Sequence, residues 1–135
     1  MVMIRFVIFT LSLLINIITN MTLTIILVLI STISFLFFGI SCFVTAEMKT
    51  EFIRYGLSDK LKLVGTLQII GALALGLGYL YLPTLAIIGA IGLSILMLFG
   101  FGVRIKIKDN FIQSAPSIIF AFLNAYIAIV LIMND

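Results

Sequence analysis

Histidine is absent from this sequence and cysteine occurs once. Those shortages exclude an intrachain disulfide, a CxxC redox pair and an imidazole ligand for haem, iron or zinc, so no metal chemistry is expected of this chain alone. Charge is scarce as well. Only 10% of the residues are charged and 64% are hydrophobic, against about 25% charged and about 45–50% apolar in a soluble domain. A water-soluble globule is excluded on that ground. The charges gather at Arg5, within 47–62, within 104–109 and at Asp135, and the net charge of +3 comes from these clusters. It reads as membrane topology rather than nucleic-acid binding. No stretch outside the uncharged runs is long enough for a second, soluble domain.

The uncharged runs are bilayer-sized. A hydrocarbon core of about 30 Å takes roughly 20 apolar residues at a rise of about 1.5 Å each. One span covers 63–82 and stops at Pro83, which cannot continue the helix behind it. The next covers 84–103 and is closed by Arg104. Only Leu82, Pro83 and Thr84 connect them, with Tyr79 and Tyr81 alongside. That predicts a tight antiparallel hairpin with its tyrosines at the lipid headgroups. Ala86, Ala90 and Ser94 recur at every fourth position, as do Ala72 with Gly76 and Ala74 with Gly78, giving small-residue faces for close helix packing. The last span covers 114–133, with Ser114 as N-cap, Pro116 in its first turn and Asn124 as its one strongly polar interior residue.

The N-terminal part is ambiguous. No charge occurs between Phe6 and Ala46, a run that as one helix would be about twice the bilayer thickness, so an interruption is expected. Asn16, Thr19 and Asn20 are the weakest helix formers there, which sets a full span at 21–45 behind a hydrophobic segment at 6–19. That segment has three readings: a separate additional helix, a signal-like sequence, or an extension of the following helix. The signal reading is weakened by the lack of a small-x-small cleavage site. A separate helix would return Arg5 to the side of the other basic residues, which favours five spans over four. The chain thus divides into an N-terminal extension, 1–20, and a transmembrane bundle, 21–135.

Lys49, Arg54, Lys60 and Lys62 lie in one loop and Arg104, Lys106 and Lys108 in another, both on the same side of the bundle. By the positive-inside rule that side is cytoplasmic, with Pro83 and Asp135 facing outward. In the first of these loops Met48, Phe52 and Tyr55 fall at i, i+4 and i+7, opposite Glu47, Glu51 and Arg54. A short amphipathic helix at 47–56 is expected in the membrane interface. Gly56 suits its C-terminal cap, Ser58 a cap for the next helix, and Glu51 with Arg54 an ion pair on the wet face. The competing reading turns Glu47 and Glu51 inward to line a site.

Phe38-Gly39, then Glu51-Phe52 with Arg54-Tyr55-Gly56-Leu57-Ser58, then Gly65-Thr66-Leu67-Gln68-Ile69-Ile70-Gly71 resembles the DoxX-like family of small four-helix membrane proteins. Met97 with Gly100, the basic stretch to Asp109, and Ala115-Pro116 extend the resemblance over 21–133. It implies an all-α four-helix transmembrane bundle. Two positions depart from the family's pattern: Gln68 stands where a Glu is common, and Arg104 where a His is frequent. The resemblance implies roles ranging from small subunits of quinone-linked oxidoreductases to membrane accessories.

Two functions follow as expectations. The spans carry no carboxylate, Lys or His, groups by which functional membrane sites usually declare themselves. The first expectation is therefore an accessory protein or subunit of the bacterial inner membrane, without catalysis of its own. It would contact lipids and other integral membrane proteins, or further copies of itself. The second is a quinone- or lipid-binding subunit linked to a redox enzyme, with Gln68, Arg104, Glu51 and Tyr55 as polar contacts in an otherwise apolar pocket. A proton-coupled exporter is disfavoured, since it needs a membrane-embedded carboxylate. Cys42, Phe35, Phe37 and Phe38 read as apolar bulk.

Overall fold

Where lipid replaces water, backbone N–H and C=O groups must bond each other, which only helices and closed barrels allow. The computed structural model describes residues 2–134, and every regular element among them is helical. The order is α1 (Val2–Val44), α2 (Ala46–Arg54), a 3-10 turn (Ser58–Lys60), α3 (Leu61–Tyr81), α4 (Pro83–Lys106) and α5 (Phe111–Asn134). Four helices are long and apolar enough to cross a membrane: α1, α3 with its preceding turn, α4 and α5. Extensive contacts join α1 to α3, α3 to α4 and α4 to α5, while α5 meets α1 over a shorter stretch.

The hairpin forms as the sequence predicts. Leu82 alone joins α3 to α4, its N–H donates to the Gly78 carbonyl at 2.8 Å, and Pro83 takes the first turn of α4, where a missing N–H costs nothing. Gly78 lets the two backbones touch, because an added Cβ would collide with the Ala86 backbone nitrogen. Ala86 and Ala90 are fully buried in this contact. The α1–α3 contact is similarly close, with a Cβ on Gly39 falling 2.9 Å from the Gly65 carbonyl.

The α1–α5 contact is made by few groups. Phe35 and Phe120 meet edge to face at 5.4 Å. Ser31 Oγ donates to Asn124 Oδ1 at 2.7 Å, and Asn124 Nδ2 donates to the Phe120 carbonyl at 2.9 Å. Ser31 and Asn124 are both fully buried, so the polar residue noted in the last span is satisfied across the bundle. Ser94 similarly ties α4 to the Ala121 carbonyl of α5 at 2.7 Å.

Three expectations are corrected. First, α1 is a single helix of 43 residues, so the interruption near 16–20 is not formed and 6–19 is an extension of the following helix. At about 1.5 Å per residue it is roughly 64 Å long. Asn and Thr lower helix propensity by only about 0.7 kcal/mol at most. No Gly or Pro lies between Val2 and Phe38 to remove a donor or free the backbone. Thr10 and Thr22 also return their hydroxyls to the carbonyls of Phe6 and Ile18. Every described side chain from Val2 to Thr19 is exposed. Second, Ser58 opens a 3-10 turn rather than capping α3, which starts at Leu61 without a side-chain cap. Third, α5 begins at Phe111, where Asn110 Oδ1 accepts from the Gln113 N–H at 2.8 Å, so Asn110 takes the role expected of Ser114. Pro116 consequently sits beyond the first turn. The outward position expected of Asp135 lies outside the described residues.

Candidate functional site beneath the interfacial helix

The short helix α2 forms because an amphipathic sequence meets caps at both ends. Thr45 Oγ1 accepts from the Met48 N–H at 3.3 Å. At the other end the Gly56 N–H reaches the Ile53 carbonyl and the Leu57 N–H the Phe52 carbonyl, closing a Schellman motif with Gly56 at φ 74°. Phe52 is buried and packs with Cys42 and Leu61, and Met48, Tyr55 and Leu57 cover that cluster. Burying a Phe side chain contributes about 1.5–3 kcal/mol, which is what holds so short a helix down.

A network of charge runs along its wet edge. Arg54 bridges Glu51 at 2.6 Å and Asp109 at 2.5 Å. The sequence predicts the first pair and misses the second, which spans 55 positions. Asp109 is held there by a second Schellman motif at the end of α4, in which the Asp109 N–H reaches the Arg104 carbonyl and the Lys108 N–H the Ile105 carbonyl. Lys108 occupies the left-handed position of that motif, at φ 64°. The Arg54 guanidinium, by hydrogen bonding, holds the carboxyls of Glu51 and Asp109 below the usual carboxylate range. Burial pushes the Tyr55 phenol up, so it stays a neutral donor and gives its hydrogen to Glu51 Oε2 at 3.1 Å.

Beneath α2 lies a cavity of about 160 Å³, walled by Met48, Phe52, Tyr55 and Leu57 above and by α3 and α4 at the sides, with Ser117 of α5 at its depth. Of the four residues singled out in the sequence, Tyr55, Gln68 and Arg104 share this lining. Glu51 stands one hydrogen bond behind it, through Tyr55. Glu47 points to solvent and takes no part. Gln68 is 6% exposed, and its Oε1 faces Cys42 Sγ at 4.0 Å, a weak contact. That leaves the carboxamide NH₂ with no hydrogen-bond partner among the described residues. Arg104 Nη1 donates to the Gln113 carbonyl at 2.7 Å, one turn before Pro116, and the guanidinium lies 5.6 Å from the Tyr55 ring centroid. Among the described residues no carboxylate lies within salt-bridge distance of it, although Glu51 and Asp109 both feel its charge.

Ser117 is the site residue that the sequence reading missed. It lies three positions after Ser114 and seven before Asn124, and all three are buried on one face of α5. That small polar periodicity was the available signal. Gly100 faces Ser117 across the cavity; a Cβ there would come no closer than 3.7 Å, to Ser117 Oγ. A larger cleft of about 550 Å³ opens at the opposite end of the bundle, between α1 and α5, over Tyr79 and Tyr126. Met21 and Ile17 of α1 form one wall of it, and Tyr126, Val130 and Leu131 of α5 the other.

Taken together, the site is a small, mostly apolar pocket with a few polar side chains, at the charged end of an apolar bundle and covered by an amphipathic helix. Comparison with curated proteins finds no match, and neither does comparison with solved structures. The DoxX-like family matches over residues 17–128. That match contains the four-helix core, α2 and every residue of the pocket, and this chain therefore belongs to the DoxX-like family.

Proposed function

We propose that this DoxX-like membrane protein is a non-catalytic subunit that holds the polar head of a membrane amphiphile, a quinone or a lipid, in the pocket beneath α2. The observation that carries this reading is Gln68. The Gln68 side chain is 6% exposed, lines the cavity and presents an open donor there, for which a ligand oxygen is a natural acceptor. Tyr55 and Arg104 complete a polar mouth over apolar walls, as membrane ligand sites require. The test uses Gly100→Leu, whose side chain would fill the cavity with little strain. Mass spectrometry of amphiphiles retained by the purified protein should show one species lost in Gly100→Leu, with the melting temperature unchanged or raised. Equal retention in both proteins would overturn the reading.

A second reading, an accessory protein that docks on other membrane proteins, is favoured by the exposed apolar half of α1. Under it, residues 21–135 are the folded unit and 1–20 an extension offered to a partner. Affinity capture from native membranes with and without 2–19 distinguishes the two readings, since pocket occupancy does not depend on that segment. In either case the positive-inside rule supports a cytoplasmic α2 end, in an inner membrane. Native Cys42 is buried, so a cysteine introduced at Asp59 is a clean reporter. It should react with an impermeant maleimide only in inside-out vesicles.

A further inference from the structure

The pocket's chemistry narrows the class of head it takes. It offers donors from the Gln68 NH₂, the Ser117 hydroxyl and the Arg104 guanidinium, of which only the last carries charge. Two carboxylates stand nearby and feel the Arg104 charge, but both form their ion pairs with Arg54. Among the described residues the Arg104 guanidinium itself hydrogen-bonds only a neutral carbonyl, which leaves donors at the mouth for an anion. Lys106 and Lys108, exposed on the same end of α4, add to the positive field. Size does not separate the candidates, since about 160 Å³ admits a single ring as well as a compact anion; charge does. A compact tetrahedral anion fits; its oxygens accept from all three donors, and guanidinium is the side chain best matched to it.

We infer that the Gln68–Arg104–Ser117 pocket binds a phosphate monoester, presented by an anionic lipid whose chains leave between α2 and α4. This rests on the amphiphile-pocket reading and selects the phosphate lipid over the quinone. The Arg104 guanidinium closes the mouth on the anion, and the Gln68 carboxamide receives it at depth. Tyr55 stays neutral and holds Arg104 in place through its ring face.

The experiment reconstitutes the full chain in phosphatidylcholine nanodiscs containing a minor fraction of phosphatidic acid, and counts retained lipids by native mass spectrometry. Phosphatidic acid should be enriched on the wild type. Arg104→Gln and Gln68→Leu should each cut that enrichment roughly tenfold, about 1.4 kcal/mol of binding, while Lys62→Gln, outside the pocket, leaves it unchanged. Should Arg104→Gln fail to fold, Gln68→Leu and Ser117→Ala carry the test. A parallel arm titrates inorganic phosphate into detergent-solubilised protein. A rise in melting temperature that is absent in Gln68→Leu shows that the phosphate suffices, and enrichment of phosphatidic acid without such a rise shows that the lipid is needed; both support the assignment. Enrichment lost equally in Lys62→Gln means surface charge alone and overturns it. A retained quinone or phosphatidylcholine in place of phosphatidic acid overturns the anion assignment but preserves the amphiphile pocket. No retained amphiphile overturns both.

Discussion

Two residues in the left-handed region, Gly56 and Lys108, end the helices that frame the pocket. Nothing lies within 4 Å of a Cβ added to Gly56, so the cost of a substitution there is purely backbone strain. Gly56→Ala should destabilise by about 1 kcal/mol, and Lys108→Gly should stabilise by about 0.5–1 kcal/mol. Thermal melts in detergent should move in opposite directions for the two variants. The ion pairs predict a pH dependence. Because the folded carboxyls of Glu51 and Asp109 titrate below their unfolded values, their stabilisation is complete above about pH 5 and is lost as pH falls through the folded values. The wild-type melting temperature should therefore drop in acid, and that of Asp109→Asn should drop less. Equal slopes would remove Asp109 from the account. Legibility at this scale was uneven. Glu51 with Arg54 could be read because three residues separate them on one helix face. Ser31 with Asn124 and Arg54 with Asp109 could not, because no local pattern links positions from different helices.

Among the helices, the hairpin was the most legible part, since Pro83 and the flanking charges mark its limits directly. Its tightness makes a sharp prediction. At Gly78 a side chain would meet backbone rather than a movable side chain. Gly78→Leu should therefore cost roughly 3 kcal/mol or more, the upper end of overpacking penalties. Chemical denaturation in mixed micelles measures it, and a cost under about 1 kcal/mol would mean that the helices part easily. Helix α1 was the least legible. Bilayer thickness limits how much of a helix lipid can cover and not how long the helix runs, and only Gly or Pro would have imposed a break. The interfacial helix lies between these cases. Its apolar spacing and its Gly56 cap were readable, while the non-glycine cap at Lys108 that brings Asp109 to it carries no sequence signature.

For the molecule as a whole, the fold divides into a cooperative bundle and an arm that buries no side chain against it, Ile17 alone reaching the rim of the cleft over Tyr126. Because the described side chains from Val2 to Thr19 are all exposed, deleting 2–19 should shift the melting temperature by no more than a degree or two. A larger loss, measured by circular dichroism in detergent, would reveal contacts that this arrangement does not contain. The membrane-spanning helices were readable from hydropathy, but charge at Arg5 favoured a fifth span and the four-helix count came from the family resemblance. The pocket was readable only in part: Gln68, Arg104 and Tyr55 could be named, while their convergence with Ser117 required the packing of α5. The one-residue connection between α3 and α4 also bears on how the protein is made. With no slack at Leu82, neither helix can settle in the bilayer while the other waits in water, so the pair must cross as one body during synthesis. Lengthening that link with a hydrophilic tether would uncouple the two insertion events and leave some newly made chains stranded halfway, open to added protease.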